Sequence, residues 1–190
     1  MSPRVGLDQQ TILHAATEIV NEQGIEAITL ALLAKKLNIR PPSLYNHIDG
    51  LEGLKKNLAI YGLDQLYEVL TKSAVGRSGN DAIHALSQAY IGYVRNNPGV
   101  YEASLLIPQD PDIQNAGKKI VDLSLAVLAH FQLKEEDALH AVRGLRSILH
   151  GFASLEQKGS FGLPISIDIS LNRLVDSYLV GINTFSEDPK

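Results

Sequence analysis

The 190-residue sequence contains no cysteine. That excludes disulfide scaffolds, thiol nucleophiles, cysteine zinc sites and iron–sulfur clusters, and a secreted cross-linked fold fits poorly. Long hydrophobic runs are missing too. Stretches such as Ile28–Ala34 are short and interrupted, far from the roughly 18 apolar residues of a membrane-spanning helix. Met1-Ser2-Pro3-Arg4-Val5-Gly6 has no apolar signal-peptide core. The expectation is a soluble, cytoplasmic protein with no membrane partner. None of the six histidines pairs with another at helical spacing, and no His-Glu-x-x-His occurs, so a local metal motif is lacking. Gly-x-Ser-x-Gly, phosphate-cradling and dinucleotide fingerprints are absent as well. Catalytic residues, a metal and a cofactor are therefore not expected.

What is present is material for a core. The chain is 45% hydrophobic and 20% charged, which suits a folded chain of one domain or of a small and a larger one. Its net charge of −4 argues against nucleic acid until its distribution is considered. Lys35, Lys36, Arg40, Lys55 and Lys56 outnumber Asp49 and Glu52 across residues 28–56, whereas residues 57–190 carry 11 basic and 15 acidic residues. A local patch, not the total, decides whether phosphate is attracted.

Periodicity reads as helix throughout. In Asp8–Gln23 the apolar positions Ile12, Ala15, Ala16, Ile19 and Val20 fall on one face, and Gly24 follows as a stop. Thr29 can cap a second helix burying Leu30, Leu33, Ala34 and Leu37. Pro41-Pro42 suits the first turn of a third, where a missing N–H costs nothing. Longer helices are expected over about 50–73, 81–95, 100–106, 112–131, 133–158 and 168–185. Period-two alternation is not found, so strands are not needed. The fold class is all-α, with about nine helices.

Three short helices with a tight turn between the second and third outline a helix-turn-helix. Leu44 and Ile48 can face inward while Ser43, Tyr45, Asn46 and His47 point out, offering groups that suit base edges and phosphates. With Asn21-Glu22-Gln23-Gly24, Thr29, Ala34, Leu37 and Ile39 upstream, the run Ser43-Leu44-Tyr45-Asn46-His47-Ile48 followed by Leu54 resembles the TetR family of bacterial transcriptional regulators. The resemblance implies a DNA reader in residues 1–50 and a helical effector-binding and dimerisation domain in 51–190. Thr29, Arg40, Ser43, Tyr45, Asn46, His47 and Lys55 are the candidate DNA contacts. One departure concerns phosphate. Leu51 stands where the family usually has a lysine, leaving backbone N–H groups near Gly50–Gly53, and Lys55, to hold it.

Further on, Tyr93–Tyr101 and Leu149–Glu156 resemble a C-terminal subgroup marked by Trp-His-Gly, with Leu149 in the tryptophan position. The resemblance implies a homodimer through the last two helices, whose small residues Gly144, Ser147, Gly151 and Ser154 permit close approach. A mostly apolar pocket is expected between the fourth and eighth helices, with Tyr67, Tyr90, Tyr101, Phe131, Arg146 and His150 as candidate contacts. Arg146, a cation on a mainly apolar helix, would need a partner if buried; an anionic effector, an internal ion pair or plain exposure all satisfy that. The partners expected are a double-stranded operator and a small hydrophobic effector, and the role expected is repression. The alternative is a helical ligand-binding or scaffold protein whose helix-turn-helix has lost DNA binding.

Overall fold

A computed structural model describes residues 7–106 and 109–186. They form helices α1 (Gln9–Gln23), α2 (Leu30–Lys36), α3 (Gly50–Ala74), α4 (Gly79–Asn96), α5 (Pro98–Leu106), α6 (Pro111–Leu128), α7 (Glu135–Gln157) and α8 (Ile167–Asn183), with four short 3-10 segments. No strand occurs among the described residues. The expected third helix is the 3-10 segment Pro41–Asn46, which with the eight α-helices accounts for the nine expected. So short a stretch after Pro-Pro has few donors for i→i−4 bonds, and its turns close by three-residue bonds instead.

Local chemistry sets the helix ends. The Asp8 carboxylate accepts the Thr11 N–H at 2.7 Å, capping α1. That bond, with a contribution from the Thr11 side chain, holds the Asp8 carboxyl below its usual range. Gly24, at φ 84°, stops the helix. The Thr29 hydroxyl accepts from Leu32 N–H at 3.1 Å and starts α2. At the other end Asn38 takes a left-handed φ of 53°. Its N–H donates to the Lys35 carbonyl at 3.1 Å and that of Ile39 to the Ala34 carbonyl at 3.0 Å, the bond pair of a Schellman stop. The tight turn of the helix-turn-helix is therefore made by Asn38.

The contacts divide the chain into two compact units. One, within Met1–Gln65 and Asn96–Ala116, has a single core in which Ile12, Ile19, Leu33, Leu44 and Leu54 meet Val100 and Ala103 of α5. Asn21 holds α5 there. Its Oδ1 accepts the otherwise orphaned N–H groups of Gly99 and Val100, each at 3.1 Å. Gly99 is obligatory at this crossing, since a Cβ there would collide with the Val20 carbonyl oxygen. A Cβ on Gly62 of α3 would lie 2.6 Å from Val100 Cγ1.

The other unit, within Leu66–Arg95 and Gly117–Lys190, buries Leu70, Ile83, Leu86, Leu128, Leu145, Leu149, Val175 and Leu179. Arg95 at the end of α4 binds Glu156 of α7 at 2.8 Å and Asp168 of α8 at 2.7 Å. His84 meets Asp176 at 2.9 Å, and the Tyr178 hydroxyl donates to the Ala141 carbonyl at 2.9 Å. Burial raises the Tyr178 phenol to about 12.

Candidate nucleic-acid interface

The site is built on the spacing of two buried residues. Leu44 is fully buried and Ile48 nearly so, which pins the short segment to the core. Tyr45, Asn46 and His47 lie between them and all are exposed, Tyr45 by 62%. Three consecutive side chains thus leave the surface together. Ser43 is half-buried beside them. Arg40 is exposed at the segment's start in extended geometry, φ −84° and ψ 140°, as the following proline demands. Five of the seven candidates therefore come from one eight-residue stretch presenting hydroxyl, phenol, amide, imidazole and guanidinium groups.

The other two sit differently. Thr29 is exposed, but its oxygen already accepts the cap bond of α2, leaving its O–H for an outside partner. Lys55 is only 20% exposed and its ammonium lies 3.8 Å from Glu52. Two nearby cations are committed elsewhere. Lys36 binds Glu18 of α1 at 2.7 Å, which raises the lysine's pKa and lowers the glutamate's. Lys56 binds Asp110 at 2.9 Å and Asp112 at 2.7 Å, so it fastens α3 to the start of α6 and not to an external phosphate. The sequence carries no local sign of this, because the partners lie more than fifty positions away. Leu51 is half-buried against the core of this unit.

The candidate effector contacts are spread over both units. Tyr101 belongs to the unit containing the reader, and Tyr67, Tyr90, Phe131, Arg146 and His150 to the other. Tyr90 and Tyr101 are buried, Tyr67, Phe131 and His150 half-buried, and Arg146 exposed on α7. Among the described residues no group of three or more metal-binding side chains is assembled, and no helix is long and apolar enough to cross a membrane.

Comparison with known proteins agrees with this arrangement. Residues 12–54 match the model of bacterial regulatory proteins of the tetR family, and residues 83–178 match a tetracyclin repressor-like C-terminal domain. The chain is 42% identical over 183 residues to the uncharacterized HTH-type transcriptional regulator YobS of Bacillus subtilis, covering 96% of each. It is 33% identical over 156 residues to a second uncharacterized regulator of that type from Mycobacterium tuberculosis, covering 80% of this chain and 72% of that one. Among solved structures, a protein of unknown function from Rhodococcus sp. RHA1 superposes with a TM-score of 0.83 at 18% identity, covering 95% and 98% of the two chains. A TetR variant from Acinetobacter baumannii AYE in complex with minocycline gives 0.73 at 20% identity, covering 96% and 100%. These family models and relatives are of transcriptional regulators, not of enzymes. An outward Tyr-Asn-His set on a helix-turn-helix, two matching family models and a relative aligned over nearly the whole chain lead to one assignment: the chain belongs to the TetR family of bacterial regulatory proteins.

Proposed function

We propose that the chain acts as a homodimeric repressor that leaves its operator when a small hydrophobic effector binds. Residues 1–50 read DNA, and residues 51–190 bind the effector and the second subunit. The observation that carries this reading is the exposure of Tyr45, Asn46 and His47 between the buried Leu44 and Ile48. Such a segment enters the major groove with its outward side chains on base edges and backbone. Two-fold pairing through α7 and α8 then places two readers on a pseudo-palindrome, with half-sites about 34–36 Å apart or a multiple of that. Ser43, Asn46 and His47 read bases, and Tyr45 and Arg40 hold phosphate. Thr29 and Lys55 are the outlying members of the set.

The effector pocket uses Tyr67, Tyr90, Phe131 and His150, aromatic groups with few polar tips, as suits an apolar ligand. Arg146, being exposed, serves an acidic effector only as a steering charge. The likeness of the Leu149-His150-Gly151 run to Trp-His-Gly supports kinship with that subgroup, with Leu149 in the tryptophan position. An effector preferring a different tilt of α3 changes the spacing of the two readers and lowers operator affinity.

Selection of bound DNA from a random pool, followed by a mobility shift on the recovered sequence and on the chain's own upstream region, tests the reading. A pseudo-palindrome bound in preference to random DNA is expected. Equal binding to every sequence overturns it. The second reading, a ligand-binding protein whose reader has lost DNA, is favoured by Leu51 and by the engagement of Lys56 with Asp110 and Asp112. It requires no shift on any pool member at low salt.

A further inference from the structure

Helices α4 and α8 meet along a polar seam inside one compact unit. His84 Nε2 and Asp176 make its first rung at 2.9 Å, and the Gln88 amide donates to Asn172 Oδ1 at 3.2 Å in the second. Arg95 makes the last, its Nη2 lying 2.7 Å from Asp168 Oδ1. Gln88 and Arg95 stand two turns apart, about 10 Å along α4. Between their rungs opens a cavity of about 340 Å³. The buried Ile91 and Leu171 floor it, Gln88 and Asn172 line one end, and Arg95 and Asp168 line the other.

The charge of the seam is one-sided. Three carboxylates, Glu156, Asp168 and Asp176, stand against the single guanidinium of Arg95. That guanidinium is already engaged. Its Nε donates to both Glu156 oxygens at 3.0 Å, and its Nη2 reaches Glu156 and Asp168 Oδ1. Asp168 uses only Oδ1 in this way, and its Oδ2 meets no donor among the described residues. An anion entering the cavity would meet these acids around a cation they have neutralised. A cation finds an open carboxylate oxygen, and an apolar body finds the floor. The two surfaces together select an amphipathic cation.

We propose that this cavity binds a small organic amine, a monocation with an apolar body, between α4 and α8. Its ammonium donates to Asp168 Oδ2, and its body lies on Ile91 and Leu171. The Gln88–Asn172 amide pair limits its length. Bound there, the amine adds a link between α4 and α8 to the one Arg95 makes. The site shares no residue with the aromatic effector set and needs neither DNA binding nor dimerisation. It stands or falls apart from the function proposed above.

Phenethylamine is the probe, with phenylacetate and 2-phenylethanol as an anion and a neutral alcohol built on the same ring. Calorimetric titration of the native chain is expected to show saturable binding of the amine and weaker binding of the other two. Asp168→Asn keeps the shape and removes the charge. It should weaken the amine about tenfold or more, the worth of one hydrogen bond to a charged group, and leave 2-phenylethanol unchanged. Amine binding that is unchanged in Asp168→Asn overturns the proposal, as does equal binding of phenylacetate. So does a lack of saturation below about 10 mM, a poor efficiency even for so small a ligand. Should Asp168→Asn fail to fold, Gln88→Lys decides. That position is exposed, and a lysine there should shift preference from the amine toward phenylacetate; an unshifted preference overturns the site.

Discussion

Single residues carry several of the tertiary constraints, and each can be removed alone. Tyr178 spans from α8 to the Ala141 carbonyl of α7, so Tyr178→Phe is expected to cost about 1 kcal/mol in urea unfolding. The pH dependence follows from the raised phenol. The group is neutral in the fold, so its contribution is whole below the ordinary value near 10 and is lost as pH climbs toward about 12. The native chain should lose more stability than Tyr178→Phe between pH 9 and 11.5, and equal losses would refute the assignment. Asn21 acts on backbone N–H groups with no other acceptor among the contacts described, and Asn21→Ala should cost about 0.5–2 kcal/mol. Gly99→Ala forces the α5 backbone off Val20, and an overpacked crossing of this kind costs about 1–3 kcal/mol or more. At the reader, Asn46→Ala should weaken operator binding by about 1–3 kcal/mol and relax one base position. Tyr45→Phe should weaken all sequences alike in mobility shifts.

Elements were legible in proportion to how local their causes are. Capping residues and stop signals mark α1 and α2 because Asp8, Thr29 and Gly24 act within three or four positions. The outward Tyr45–His47 set was readable for the same reason, since Leu44 and Ile48 fix which way the segment faces. The prolines misled in one respect: they start a helix well, yet here they start a segment too short to become α-helical. What could not be read is long-range. Nothing near Val100 signals that α5 returns to the core begun by α1. Nothing near Lys56 signals that its partners are Asp110 and Asp112. Arg146 illustrates an ambiguity of periodicity: the apolar residues around it do not say which side stays open, and the fold leaves it exposed. Arg95 has no local signal in the sequence, because Glu156 and Asp168 are ordinary surface acids until α7 and α8 bring them together. Arg95→Ala unties the end of α4 from both helices. The pairs are partly exposed, so solvent screening discounts them, and the loss should be at most about 1 kcal/mol and smaller still at high salt.

For the whole molecule the decisive quantity is the supply of free positive charge. A net charge of −4 gives DNA no general attraction, and Lys36 and Lys56 are neutralised by acids of their own chain. Arg40 and Lys35 are the exposed basic side chains flanking the reader. A dimer would then neutralise about four phosphates, for a slope of log affinity against log salt near −3.6. Raising salt from 50 to 200 mM should weaken operator binding on the order of 10²-fold, a shallow dependence for a regulator. Placing a lysine at the start of α3 should steepen it. In Leu51→Lys the aliphatic stem can keep the cover Leu51 gives the core while the ammonium reaches solvent, beside backbone N–H groups that already favour an anion. One added contact per subunit steepens the slope by about 1.8 and tightens binding at low salt. Titrations of native and Leu51→Lys protein against the selected operator at four salt concentrations measure both effects, with melting temperature as the folding control. A folded variant with an unchanged slope would show that the start of α3 does not face phosphate, and the proposed docking of Pro41–Asn46 in the groove would have to be turned about its axis.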